Sequence, residues 1–275
     1  MKEADKTIKA QAPIVTLSGG KVTINQATLI SSVNLTLTAS SVTGVIGLNG
    51  SGKSTLVKVL ARQLPLSAGT LHLGDEAYDK YNDRAFSRRV AYLPQYTPSA
   101  PGMTVRELVS LGRFPWHGAL GRFTEQDNTA VERALEQTDT LPFAHRYIDL
   151  LSGGERQRCW LAMLLAQEAE VMLLDEPLSA LDARFQSQIM ALIRDIAVSR
   201  NMAVLVVLHD VNLASRYCHK IVAMKSGRLI WEGDSFQVMD SAVLEPIFDT
   251  PMTVLTSPES GAKYAFSNPE KRDFL

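Results

Sequence analysis

Gly47-Leu48-Asn49-Gly50-Ser51-Gly52-Lys53-Ser54 fits the pattern G-x-x-x-x-G-K-[ST], and the residues on either side give that pattern a structural setting. Upstream, Val42 to Ile46 is a short β-branched run that predicts a strand. Downstream, Lys53 to Arg62 places Leu56, Val59 and Leu60 at helical spacing, so the order is strand, loop, helix. A glycine-rich loop at the start of a helix suits a phosphate chain, because glycine lets the backbone approach closely and the free N–H groups face the anion. Gly47, Asn49, Gly50, Ser51, Gly52, Lys53, Ser54 and Thr55 are the candidate contacts. Lys53 has the reach for β- and γ-phosphates, and Ser54 the hydroxyl for Mg²⁺.

Further along, Val171 to Leu174 and Ala203 to Leu208 are continuous apolar runs, as expected of parallel strands covered on both faces. The first runs into Asp175 and Glu176. Carboxylates at the carboxyl end of a sheet strand sit where ligands bind in open α/β sheets. One such acid can hold Mg²⁺ and the other can polarise an attacking water, although the pair alone fits a helix cap with a first-turn acid equally well. Ile221 to Met224 and Arg228 to Trp231 predict a late hairpin around Lys225, Ser226 and Gly227. Between Thr104 and Asp149 the strand signal disappears, and Val105, Leu108, Val109, Val131 and Leu135 recur at helical spacing, which predicts a helical lobe. After Ser235, short helical patterns are broken by Pro246, Pro251 and Pro258 and pass into a polar end.

Composition narrows the function classes. A formal net charge of -1 and a pI near 6.5 give no general grip on a nucleic-acid backbone. No apolar run approaches the roughly 18 to 20 residues of a membrane span. Met1 to Pro13 lacks the apolar core of a signal peptide and reads as a tail, so the chain is expected to stay in the cytoplasm. Cys159 and Cys218 are too few and too far apart for a metal cluster or a disulfide framework, and both are expected to be buried thiols.

Leu151-Ser152-Gly153-Gly154-Glu155, followed by Arg156-Gln157-Arg158, supplies a second glycine-rich helix start, with Ser152 and Glu155 at capping-box spacing. This stretch resembles the signature motif of the ATP-binding-cassette (ABC) ATPases. The resemblance implies an α/β P-loop cassette: a RecA-like mixed sheet, an antiparallel β subdomain and a helical signature lobe. It places one ABC ATPase domain at 14–250, with the lobe at about 100–155, an N-terminal tail at 1–13 and a C-terminal tail at 251–275. It further implies that Ser152, Gly153 and Gly154 face the γ-phosphate of ATP held by another subunit. Asp175 and Ser54 would hold Mg²⁺ together with Gln95 after Tyr92-Leu93-Pro94, and Glu176 would be the catalytic base with Lys53, Gln95 and His209 as its catalytic companions. Ser179-Ala180-Leu181-Asp182 looks like the D-loop. Taken alone, His209 is as well explained as a structural residue at a strand end. One departure stands out. The family usually stacks adenine on an aromatic side chain, but the matching neighbourhood here is Val22-Thr23-Ile24-Asn25.

A single motif set implies a head-to-tail homodimer around two ATP. Gly102 to Val109 and Leu111 to Arg122 are similar to the ATPase subunits of bacterial iron-chelate importers, those for ferric hydroxamates such as ferrichrome most of all. That likeness implies an integral membrane permease as partner, a periplasmic or surface iron-siderophore binding protein further out, and a peripheral place on the cytoplasmic face of the bacterial inner membrane. Phe114, Pro115, Trp116 and His117 are the candidate permease contacts, with packing inside the lobe as the alternative for Phe114 and Trp116. Cobalamin or haem import, or a non-transport ABC ATPase acting on nucleic acid, are the rival readings. The last would need long heptad insertions or zinc-binding cysteines, and neither occurs.

Overall fold

The apolar runs pair side by side through the middle of the molecule. The computed structural model describes residues 13–268 apart from Ser99, Ala119, Leu120 and Ala180, so the tail expected at 1–13 falls outside it except for Pro13, which already belongs to a strand. β1 (Pro13–Ile24) and β2 (Ala27–Thr38) form a hairpin, and β3 (Ser41–Ile46) leads into α1 (Lys53–Leu60). β4 (Ala68–Leu73) and β5 (Glu76–Ala77) precede α2 (Asp83–Ser87) and β6 (Val90–Leu93). The lobe holds α3 (Val105–Leu111), α4 (Phe114–His117), α5 (Glu125–Gln137) and the start of α6 (Gly153–Ala166). Then follow β7 (Val171–Leu174), α7 (Ala183–Ser199), β8 (Ala203–Val207), α8 (Val211–Tyr217), β9 (Lys220–Lys225) and β10 (Arg228–Asp234).

One six-stranded sheet runs in the order β10-β9-β3-β8-β7-β6, parallel throughout except for β10. The expected late hairpin forms between β9 and β10, and β9 also pairs with β3, which joins it to the parallel sheet. A separate four-stranded sheet, β2-β1-β4-β5, is antiparallel. Alternate residues of the parallel strands feed two cores. Met172, Leu174, Val204 and Val206 pack with α6, α7 and the lobe, whereas Val171, Leu173, Leu205 and Val207 pack with α1 and the antiparallel sheet. Both faces are covered, which is why those runs show no polar alternation.

Three helices of the lobe region start with reciprocal capping boxes: Thr104 with Glu107, Thr124 with Asp127, and Ser152 with Glu155. A buried ion pair holds the lobe together. Arg113 Nε donates to Asp127 Oδ1 at 2.8 Å and Arg113 Nη1 to Glu168 Oε2 at 2.8 Å. Burial pushes the Asp127 carboxyl up, but Arg113 and Thr124 outweigh it and hold it down to about 2. The Arg113 guanidinium also lies 4.9 Å from the Trp116 ring centre, and Trp116 Nε1 donates to Gln167 O at 2.8 Å. Trp116 is thus tied into the lobe, whereas Phe114 is 54% exposed. Cys159 and Cys218 are buried free thiols.

Beyond residue 234 a short helix forms as expected, and the structure departs from expectation only after residue 250, where a tail was placed. Pro246 lies inside α9 (Ser241–Phe248), where it removes one intrahelical N–H donor without ending the helix. Then β11 (Met252–Thr256) and β12 (Lys263–Ser267) pair as a hairpin across 252–267, where a C-terminal tail was expected. Its inward residues Met252 and Ala265 are buried in the main core. Asn212 of α8 fastens it: Asn212 Nδ2 donates to Ala265 O at 3.0 Å, and Ala265 N donates to Asn212 Oδ1 at 2.7 Å. Asn212→Ala removes both bonds, a loss of roughly 1–2 kcal/mol. A chain of this size should register it as a melting midpoint about 2–6 °C lower by differential scanning calorimetry. An unchanged midpoint would mean that the hairpin does not brace the body.

Candidate active site

The glycine-rich loop is shaped by what lies beneath it. Gly47 has φ 140°, and a Cβ there would sit 2.2 Å from the Met224 carbonyl oxygen of β9, so only glycine lets the loop rest on that strand. Gly52, at φ 104°, turns the chain into α1. The Lys53 side chain folds back along the loop, and its Nζ donates to Gly47 O and Leu48 O, each at 2.9 Å. Lys53 is 4% exposed. Burial lowers its pKa, against the pull of the nearby Glu176 and Asp175 charges.

Asp175 follows β7 and is buried with only partial compensation. Ser54 Oγ donates to Asp175 Oδ1 at 3.1 Å. Burial raises the Asp175 pKa, the Ser54 bond opposes this, and the neighbouring Glu176 charge adds to the rise. Ser54 and Asp175 thus present two oxygens side by side at the mouth of the loop. Among the described residues no group of three His, Cys, Asp or Glu side chains assembles a metal cage.

Glu176 is the meeting point. Its backbone is left-handed, φ 51°, a conformation that costs about 1 kcal/mol for a residue with a side chain. That turn brings the carboxylate across the strand ends, where Oε2 accepts from Gln95 Nε2 at 2.6 Å and lies 2.8 Å from His209 Nε2. Gln95 follows β6, Glu176 follows β7 and His209 follows β8, so adjacent strands of the sheet deliver all three. The sequence offered no distance between them.

A cavity of about 440 Å³ lies over the loop. Asn49, Gly50, Gly52, Lys53, Ser54, Thr55 and Glu176 line it, as the motif reading expects, and so do Thr28, Leu29, Ser226 and Gly227, which that reading missed. These four come from β2 and the β9–β10 turn. Gly227 was the one available signal: its φ is 75°, a Cβ there would lie 2.6 Å from Leu29 O, and its N–H donates to Ser51 O at 2.9 Å. Ser51 is buried beneath the loop with its hydroxyl unpartnered within the protein.

Ser152, Gly153 and Gly154 are not among the walls of that cavity. Ser152 caps α6, and its hydroxyl and backbone N–H both donate to Glu155 Oε2, at 2.7 and 2.8 Å. Those two bonds hold the Glu155 carboxyl below its usual range. Gly153 lines a neighbouring cavity with Gln95, Arg156 and Glu176. Gly154 faces α7, where a Cβ would lie 2.4 Å from the Phe185 ring. Of the D-loop stretch, Ala180 lies outside the described residues, and Asp182 caps α7 by accepting from Phe185 N at 2.9 Å.

Comparison with known proteins places these features in one family. The family profile described as ABC transporter matches residues 30–179, more than half of the 275-residue chain. The iron(3+)-hydroxamate import ATP-binding protein FhuC of Bacillus subtilis is 39% identical over 233 residues, 84% of this chain and 86% of that protein. The achromobactin transport ATP-binding protein CbrD of Dickeya dadantii is 39% identical over 231 residues, 84% of this chain and 86% of its own length. An ATP-binding cassette solved as a dimer in a post-hydrolysis state bound to ADP and Pi superposes with a TM-score of 0.68 at 23% identity, over 80% of this chain and 98% of that one. This chain therefore belongs to the ABC transporter ATP-binding family and is an ATPase.

Proposed function

We propose that this chain is the ATP-hydrolysing subunit of an importer that carries an iron(III) siderophore, of the hydroxamate class, across the cytoplasmic membrane. The observation that carries the chemistry is the convergence of Gln95 and His209 on Glu176 Oε2, beside the Lys53 loop. The cargo assignment is supported by the names of the relatives, which are importers of iron hydroxamates and of achromobactin.

In this reading Lys53 holds the β- and γ-phosphates of ATP, with the loop N–H groups turned toward the same anion. Ser54, Asp175 and Gln95 suit Mg²⁺, which keeps several waters and takes only one or two protein oxygens. The ion would neutralise charge on the phosphates. Glu176 accepts the proton of the attacking water as general base, while Gln95 and His209 fix the carboxylate's direction and His209 also faces the γ-phosphate.

One subunit encloses the phosphates on one side only, since Ser152 to Gly154 lie outside the loop cavity. A second copy placed head to tail would offer its Ser152, Gly153 and Gly154 to that open side, in keeping with the dimeric form of the related cassette. The permease would dock in the groove between the core and the lobe, about 390 Å³, where the half-exposed Leu111 and Phe114 stand against Phe86 and Met163. Arg84 of α2 and Arg88 just after it donate to the Pro115 carbonyl at the rim of that groove, at 2.9 and 3.0 Å. No helix among the described residues is long and apolar enough to cross a membrane, so a peripheral place on the cytoplasmic face fits this arrangement. A siderophore-binding protein on the far side would complete the route.

Glu176→Gln should keep ATP binding, lose hydrolysis by about 10²–10⁴-fold, and accumulate as an ATP-bound dimer on size-exclusion chromatography. Turnover at the wild-type rate would remove Glu176 from the base role. Mixed with Lys53→Ala chains, Ser152→Arg chains should regain ATPase activity in the presence of the permease, because only the heterodimer joins an intact loop to an intact capped helix. Inactivity of the mixture would contradict the shared site. For the cargo, a deletion strain supplied with single siderophores should fail to grow on ferric hydroxamates. Undiminished growth on them would reject that assignment.

A further inference from the structure

Among the described residues, no aromatic side chain lines the cavity over the loop. Beyond the phosphate-binding residues its apolar surface comes from Leu29, which is 37% exposed, beside Thr28 on the same strand. Ile24, 40% exposed, pairs with Ala27 across the Asn25-Gln26 turn at the tip of the same hairpin. Leu29 is held in place by its backbone: its carbonyl oxygen packs against Gly227, and Ser31 N donates to Gly227 O at 2.8 Å. An aliphatic residue with a fixed backbone thus lines the cavity beside the phosphate loop, its carbonyl 3.1 Å from where a Gly52 Cβ would stand.

We propose that Leu29 is the platform for the nucleobase and that this platform makes the ATPase nearly indifferent to which purine it holds. The inference rests on the ATPase reading and adds to it the recognition of the base. Aliphatic contact rewards apolar area and has no directional preference, so adenine and guanine gain nearly the same from it. Base discrimination instead needs donors and acceptors matched to the base edge, as a site built for one hydrogen-bonding pattern rejects another far more strongly than an apolar pocket does. The polar side chains in the walls do not supply such a match. Asn49, Lys53, Ser54, Thr55 and Glu176 belong to the phosphate-binding motifs, and the Thr28 hydroxyl is 3.5 Å from the Thr23 hydroxyl on the facing strand. Ser226 remains, and a freely turning hydroxyl can accept from the 6-amino group of adenine or donate to the 6-oxo group of guanine. The missing ring also lowers affinity for any base, since stacking on an aromatic adds to simple burial.

The test measures binding to the full chain carrying Glu176→Gln, by displacement of a fluorescent ATP analogue with ATP, GTP, CTP and inorganic tripolyphosphate. ATP and GTP should bind within about fivefold of each other, with CTP weaker because its single ring covers less of Leu29. Adding Leu29→Ala should weaken ATP and GTP in parallel by about 3–10-fold and leave tripolyphosphate unchanged, and Leu29→Phe should tighten both purine nucleotides. A preference for ATP over GTP above about fiftyfold would overturn the proposal. So would a Leu29→Ala variant that changes tripolyphosphate binding as much as ATP binding. Tripolyphosphate binding reads the phosphate loop without the base, so its loss in the Leu29-intact chain would count against the ATPase site itself, whereas its persistence with strong base selectivity would count against Leu29 alone.

Discussion

Parallel pairing of β6, β7, β8 and β3 in near-level register is the constraint from which the site follows. Leu93 stands opposite Leu174, Leu174 opposite Val206, and Val45 opposite Val207, so the strands stop at almost the same height. Each then releases a different loop over one edge: Gln95, Asp175 with Glu176, His209, and the Gly47 to Lys53 turn. Parallel strands require long crossovers, so residues far apart in the chain arrive together only because the hydrogen-bond ladder holds them level. A one-residue slip in any strand would also exchange its contributions to the two cores, since Leu173 and Leu174 serve opposite faces. Packing on both faces therefore guards the geometry of the edge.

That edge gathers charge at low exposure. Lys53 and Asp175 are buried, Glu176 is close to both, and the Lys58 ammonium also pulls on Asp175. Burial works against the charged forms of both Lys53 and Asp175. A polyphosphate that arrives with a divalent cation meets this arrangement far better than a bare anion does. The left-handed backbone at Glu176 belongs to the same economy of position, because it turns the second of two adjacent acids away from the first and toward Gln95 and His209.

Much of this was legible in the sequence. Unbroken apolar runs marked β7 and β8, the Lys53 pattern marked the strand-loop-helix unit, and Ser152 with Glu155 marked the start of α6. What stayed hidden depends on contacts across the fold. Arg113 and Asp127, 14 residues apart, carry no sign in the sequence of the buried ion pair they form in the lobe. Pro246, Pro251 and Pro258 suggested a dissolving end, yet the alternation around Met252 and Ala265 buries a hairpin there, and Asn212 gives no local hint that it bonds a strand 53 residues away. Leu29 looked like any strand residue. Its place in the cavity follows from Gly227, whose lack of a side chain lets two turns touch.

The contact between Gly154 and Phe185 has a mechanical meaning. The ring occupies the space that a side chain on α6 would need, so the first turn of α6 and the first turn of α7 are meshed like two teeth. Asp182 caps α7 one turn before that ring, at the end of the segment that begins with Glu176. The start of α6 therefore bears on the start of α7, and through its Asp182 cap on the end of the segment that begins with Glu176.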